Sequence, residues 1–190
     1  MHRDIDRVLI SQHQIAARIA ELARQITADH TPPKLTGQAG LTIVPVLTGA
    51  MIFCADLVRQ IPIAMRIGMM TVSSYPGRSV SAQGAQVVAK QLGDVRGRHV
   101  LLLDDILDSG QTIRLVQSVL REQGAVSVKT CVLLRKDRPS TRDIQIEYVG
   151  FDIPDVFVVG YGLDFDNYYR NLPDIVTLHS RVLEGSSKAH

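Results

Sequence analysis

The sequence predicts an α/β protein, a mostly parallel central sheet flanked by helices. Two observations carry this. Short apolar runs such as LTIVPVL, HVLLL and VSVKTCVLL alternate with helical patterns through the middle of the chain, as parallel strands joined by helical crossovers do. The length, 190 residues, suits one domain with a real core and is short for two.

Each element has its own signal. Ser11 and Gln14 fit a capping box, and Ile15, Ile19, Leu22 and Ile26 recur behind them at helical spacing. A polar, turn-rich stretch, DHTPPKLTGQAG, separates that helix from LTIVPVL. This run reads as a buried strand, although Pro45 argues for a bulge or a strand end because it removes a ladder donor. Thr48-Gly49-Ala50 breaks the run, and Ile52, Phe53, Leu57 and Ile61 restart a helical face. Residues 64–74 read as strand, SSYPGRSVSAQGAQ as a long polar loop, and 85–90 as strand again. His99 to Leu103 is a compact strand. Ile113, Val116 and Leu120 mark a helix that Gly124 can end in a left-handed turn. Residues 126–134 give another strand, and the last third alternates short apolar runs with Gly and Pro.

Bulk properties narrow the class. Hydrophobic content of 45% and charged content of 21% are ordinary for a globular protein. A formal charge of +2 is too small to make nucleic acid the expected partner. The N-terminus, MHRDIDRVLISQ, lacks the apolar stretch of a signal peptide, and no run approaches the ~18–20 apolar residues that cross a bilayer. A cytoplasmic location without membrane contact is therefore expected. Cys54 and Cys131 read as buried free thiols, and the six histidines lack metal-ligand spacing.

The informative stretch is HVLLLDDILDSGQT, residues 99–112. A strand leads into three acids, and SGQT opens a new helical pattern. Open α/β sheets hold ligands at such carboxyl ends of strands. The first four N–H groups of a helix lack intrahelical partners, and its dipole favours an anion there. Ser109, Gly110, Gln111 and Thr112 would wrap a phosphate with amides and two hydroxyls. Asp104, Asp105 and Asp108 suit what a phosphate is attached to, namely sugar hydroxyls or a metal. The pattern reads as a ribose-phosphate site.

LLLDDILDSGQT resembles the phosphoribosyl-pyrophosphate signature of type I phosphoribosyltransferases. VPVLTGAMIFCADLVRQI, SSYPG, LLRK and VGFDIPDVFVVGYGLDFDNYYRNLP resemble, in the same order, segments of the hypoxanthine-guanine phosphoribosyltransferases. The resemblance spans about residues 41–178. It implies the type I phosphoribosyltransferase fold over residues 1–190, with a small hood from the N-terminal segment and roughly 150–190, and a mobile loop near 74–84. It also implies purine salvage: transfer of the phosphoribosyl group of 5-phosphoribosyl 1-pyrophosphate to hypoxanthine or guanine, with Mg2+.

Carried over residue by residue, the resemblance places Asp104 and Asp105 at the ribose hydroxyls and residues 109–112 at the 5′-phosphate. It makes Asp108 the catalytic proton acceptor facing the purine imidazole ring, a position that alone also suits a helix N-cap. Thr48, Gly49 and Arg170 match the pyrophosphate site, and Ser74 and Tyr75 the pair that closes over it. Lys136 matches the lysine reaching the exocyclic oxygen of the base. An ammonium has donors only, so it favours a 6-oxo purine. Phe157 matches the stacking aromatic, the Val158 backbone the group that bonds the purine edge, and Asp164 a carboxylate near magnesium. In isolation Lys136 reads as a surface lysine, Phe157 as core, Asp164 as a loop acid and Arg170 as one half of an ion pair.

Thr48 departs from the family's usual Lys or Arg, and Asp104 from its usual Glu. The family's pyrophosphate loop often carries a non-proline cis peptide, and the Thr48-Gly49 link is open to one. A homo-oligomer, dimer or tetramer, is expected. Two alternatives stand: a transferase preferring xanthine or another 6-oxo base, and a non-catalytic phosphoribosyl-pyrophosphate sensor that binds nucleic acid.

Overall fold

The computed structural model describes residues 3–31, 40–73, 86–93 and 95–185. In chain order the elements are β1 (Ile5–Ile10), α1 (Gln12–His30), β2 (Leu41–Leu47), α2 (Met51–Val58), β3 (Met65–Ile67) and β4 (Met69–Ser73). β5 (Gln86–Gln91), β6 (His99–Leu107), α3 (Gln111–Glu122) and β7 (Ser127–Lys136) follow, then β8 (Tyr148–Ile153), β9 (Ile175–Leu178) and α4 (Ser180–Gly185). The expected capping box starts α1: Ser11 Oγ accepts from the Gln14 amide, and Gln14 Oε1 accepts from the Ser11 amide at 2.9 Å.

The main sheet has the order β5-β4-β2-β6-β7-β8, with β3 paired to β2 as well. Its pairings are parallel except that of β4 with β5. Alternation along the central strands supplies two cores. Ile43, Leu101, Leu103, Cys131 and Leu133 face α1 and α2, where Ile15, Ile19, Leu22, Phe53 and Leu57 are buried. Val44, Val100, Leu102 and Val132 face α3 through Ile113, Val116 and Leu120. Each fully buried aliphatic chain stabilises the fold by about 1.5–3 kcal/mol relative to exposure. Cys54 and Cys131 are buried thiols, as expected.

Three strand boundaries differ from the sequence expectation. β6 does not stop at Leu103 but runs through the acids to Leu107, because β7 stays in register beside it as far as Leu107↔Arg135. The stretch read as one strand over 64–74 is two, broken at Gly68, whose amide bonds the Ile43 carbonyl at 2.9 Å. A side chain at 68 would press on the Leu92 backbone. Pro45 sits inside a central strand rather than at its end. It pairs with Leu103 on the β6 side, while on the other side β3 contacts end at Ile43 and β4 contacts begin at Val46. The proline thus occupies a gap in the ladder where a missing donor costs little.

The chain ends form a separate two-stranded antiparallel sheet, β1 with β9. Val159, Val176 and Leu178 make its small core, with Ile5, Phe165 and Leu172 packed against them. Polar ties fix it to the N-terminal segment: Asp174 Oδ1 accepts from the Gln12 amide at 2.7 Å, and Tyr169 donates to Asp4 at 3.0 Å. This layer holds residues 157–170 over the carboxyl edge of the main sheet. Among the described residues no helix is long and apolar enough to cross a membrane.

Core and cap should separate in magnitude. Phe53→Ala, at a site with no solvent exposure, is expected to lower unfolding free energy by about 3–5 kcal/mol. Ser11→Ala should cost about 0.5–2 kcal/mol. Urea midpoints with unchanged slopes check both.

Candidate active site

β6 ends among carboxylates, and the chain turns at once into α3. The helix N-cap is Gly110 at φ +81°, with no side-chain cap. Asp108 is therefore not the N-cap, contrary to that reading of the sequence. The left-handed turn requires glycine, and an added side chain would also collide with Ile144. Ser109 Oγ accepts from the Gln111 amide at 3.4 Å. The start of α3 lines a cavity of about 450 Å³ with Asp104, Asp105 and residues 108–112.

Asp104 is buried, and its Oδ1 accepts from the Asp105 amide at 3.1 Å, while Asp105 Oδ1 accepts from Ile106 at 2.9 Å. Burial, then the neighbouring Asp105 charge, push the Asp104 carboxyl well above the usual carboxylate range. Burial also raises Asp105, opposed by its bond with Asp104 and by backbone donors. Two acids side by side in low dielectric hold a proton more readily than either alone.

Thr48, Gly49, Asp164 and Arg170 form the facing wall of the same cavity. The peptide joining Leu47 to Thr48 is cis, one bond before the Thr48-Gly49 link at which the sequence suggested it. Gly49 is packed so closely on the Asp105 carboxylate that a Cβ would overlap it, and a Cβ on Gly162 would strike the Gly49 carbonyl. Arg170 donates to the Gly162 carbonyl at 2.7 Å and pairs with Asp164 Oδ1 at 2.7 Å. Asp164 Oδ2 accepts from the Asn167 amide at 2.8 Å. Arg170 is the one cation among the described lining residues, against the four carboxylates of Asp104, Asp105, Asp108 and Asp164.

A second, smaller cavity of about 170 Å³ opens beside the first and shares Asp105, Asp108 and Asp164 with it. Lys136, Phe157, Val158 and Leu163 complete its lining. Lys136, at the end of β7, is 6% exposed, so the surface-lysine reading does not hold. Its Nζ stands 3.4 Å from Asp108 and 3.3 Å from Asp155. Phe157 is not core: it is 44% exposed, its ring edge-on to Phe165 at 5.5 Å. Val158 is buried. A hydrogen-bonding cation on one side and a part-open aromatic face on another suit a flat heterocycle carrying an acceptor.

The sequence-predicted residues thus gather in two adjoining cavities. Ser74 and Tyr75 lie outside the described residues. Two participants were missed, Arg138 and Asp155: Arg138 contacts Asp108 at 2.8 Å and forks onto Asp155. The K-x-R spacing after a strand was the available signal, but RKDR reads equally as a solvated basic run. No cluster of three His, Cys, Asp or Glu able to hold a metal occurs among the described residues. The carboxylates fit a hard divalent ion that takes most of its oxygens from substrate and water.

Residues 9–166 match the family model described as phosphoribosyl transferase domain. The chain is 44% identical over 182 residues to the hypoxanthine-guanine phosphoribosyltransferase of Mycobacterium bovis, covering 95% of this chain and 90% of that relative. It is 39% identical over 188 residues to the Bacillus subtilis hypoxanthine-guanine phosphoribosyltransferase, covering 97% and 99%. The chain belongs to the hypoxanthine-guanine phosphoribosyltransferase family. Its fold is the type I phosphoribosyltransferase fold: a Trypanosoma cruzi hypoxanthine phosphoribosyltransferase superposes with TM-score 0.90 at 31% identity, over 100% of this chain and 99% of that one. A variant of the T. cruzi enzyme complexed with its product IMP gives 0.88 at 31% identity, over 100% and 98%.

The buried acids of this family member carry a pH signature. The Asp104 carboxyl holds its proton more tightly when folded than when unfolded, where the ordinary value is about 3.9. As pH rises from about 4, the unfolded chain ionises first, so this residue costs stability increasingly until the folded carboxyl also ionises. Asp104→Asn should therefore raise the stability of the ligand-free protein at pH 7.5. The gain should shrink towards zero below pH 4, as urea midpoints across pH would show.

Proposed function

We propose that this protein transfers the 5-phosphoribosyl group of phosphoribosyl pyrophosphate to hypoxanthine or guanine, giving IMP or GMP and pyrophosphate. The observation that carries this reading is the meeting of the two cavities at Asp105, Asp108 and Asp164. One has the amides for a sugar phosphate, the other the cation and aromatic face for a 6-oxo base.

In this reading the amides and hydroxyls of Ser109, Gly110, Gln111 and Thr112 seat the 5′-phosphate, and Asp104 and Asp105 receive the ribose hydroxyls. Lys136 donates to the exocyclic oxygen of the base, Phe157 stacks on it and the Val158 backbone bonds its edge. A purine ring nitrogen attacks the anomeric carbon. The bond from that carbon to the pyrophosphate oxygen breaks, its electron pair leaving with pyrophosphate. The imidazole proton passes to Asp108. Positioning matters most, because a bound, aligned pair reacts far faster than a free one.

Pyrophosphate is a polyanion, and its cavity has four carboxylates, one arginine and a threonine where the family often has a cation. Lys136 and Arg138 offset Asp108 from the adjoining cavity, and a divalent ion fits the excess of carboxylate that remains. Mg2+, when bound with substrate, would neutralise the leaving charge. Asp164, both of whose oxygens already hold protein donors, would meet it through water, and Thr48-Gly49 would offer backbone to the pyrophosphate beside Arg170.

Nucleotide formation from radiolabelled hypoxanthine and phosphoribosyl pyrophosphate should require Mg2+, and no turnover of either base would reject the reading. Asp108→Asn should lower kcat by about 10²–10⁴ with the phosphoribosyl-pyrophosphate KM within about threefold. An equal loss in both would make Asp108 a binding residue. Lys136→Ala should raise the hypoxanthine KM by about tenfold or more, since a buried donor to the base is lost; adenine should not be a substrate of the unaltered protein.

A further inference from the structure

Asp108 does not stand alone at the seam of the two cavities. Arg138 Nη1 lies 2.8 Å from Asp108 Oδ1, and Lys136 Nζ lies 3.4 Å from the same oxygen. That Oδ1 is shut off from solvent and has no partner at hydrogen-bonding geometry, so both approaches are charge contacts. The Asp108 side chain as a whole is nonetheless 46% exposed. The exposure therefore lies on the rest of the side chain, and Asp108 lines both cavities.

Arg138 is itself held. Its Nε and Nη2 fork onto Asp155 Oδ2 and Oδ1 at 3.0 and 2.5 Å, the planar, bidentate geometry that lysine cannot reproduce. Asp155 follows β8 and also meets Lys136 at 3.3 Å. Two carboxylates and two cations thus form a closed set. Within it Arg138 satisfies most of Asp155, which leaves the Lys136 ammonium with a donor to spare.

A carboxylate turns easily about its last torsion, which is broad and two-fold. Two cations gathered on one oxygen remove that freedom. We propose that Arg138, anchored by Asp155, is a positioning residue for phosphoribosyl transfer: it fixes Asp108 with Oδ2 presented to the purine imidazole ring and leaves Lys136 for the exocyclic oxygen. This rests on the function proposed above. Arg138 need not touch substrate, and no motif of the resemblance includes it.

Single-turnover nucleotide formation tests the role, using the full chain with Mg2+, phosphoribosyl pyrophosphate and hypoxanthine. Arg138→Gln should slow it by about tenfold or more, with the phosphoribosyl-pyrophosphate KM within about twofold. Arg138→Lys should recover part of the rate. Asp155→Asn should reproduce the loss and add little to it in the double variant, because the two residues act as a unit. The deciding cycle places Arg138→Gln in the Asp108→Asn background, where a residue acting through Asp108 should cost less than about twofold more. The same tenfold loss in both backgrounds, or an Arg138→Gln rate within twofold of the unaltered protein, overturns the role. If Arg138→Gln does not fold, Asp155→Asn and its cycle with Asp108→Asn carry the same two outcomes. An unaltered protein without turnover overturns the underlying reading and this role together, whereas an active one with an indifferent Arg138 overturns this role alone.

Discussion

β6 and β7 stay hydrogen-bonded in parallel from His99↔Ser127 to Leu107↔Arg135, and this pairing carries Asp104, Asp105 and Lys136 to one edge of the sheet. Had β6 frayed after Leu103, the two acids would sit on a loop, each with its own water. On a paired strand their backbones are fixed, and Asp104 is buried with Asp105 beside it. β7 extends the same support to Lys136, whose ammonium then reaches across the end of β6 to Asp108. Ridges of aliphatic side chains on both faces keep the two strands from shifting in register, since a slip of one residue would exchange the cores.

The same rigidity has an electrostatic cost. Asp108 faces Lys136 and Arg138, and Asp164 faces Arg170, but the Asp104–Asp105 pair disfavours the ligand-free state because burial and mutual repulsion act together. Sites that bind charge often sit at such locally unfavourable points, which the rest of the fold offsets. The offset here comes from the cores on both sides of β6 and from the β1–β9 layer, on which Val159, Phe165 and Leu172 pack.

The alternation of apolar runs, the capping box of α1 and the three acids were legible because each is a local signal: spacing, a side chain beside a backbone amide, charge after a buried strand. The sheet edges were less so. β6 outlasts its apolar run because of a neighbour remote in sequence, and Pro45 sits in a central strand only because β3 and β4 leave a gap beside it. β1 gave no strand pattern. Ile5 through Leu9 are all partly or fully exposed and follow no strict alternation, and the partner strand, β9, lies at the other end of the chain. Arg138 and Asp155 are invisible for the same reason: seventeen residues apart, they meet only when the ends of β7 and β8 lie side by side, as Arg135 and Asp152 do one step earlier.

The close packing of Gly162 on Gly49 joins the loop after β8 to the edge of the main sheet. The positive φ of Gly162, +103°, and the absence of a side chain let the loop carrying Asp164 descend onto the turn after β2. Arg170 then reaches the Gly162 carbonyl and Asp164 together. Gly49 in turn rests on Asp105. A chain of close contacts therefore links the loop carrying Asp164, the turn at Thr48 and the buried acid pair, with no long flexible side chain between them. A displacement of about 1 Å at any link would shift the two cavities relative to each other, and in the proposed reaction a misplacement of that size slows turnover by about 10²-fold. Glycine at 49 and 162 thus sets the geometry of both cavities, although neither residue brings any functional group of its own beyond backbone.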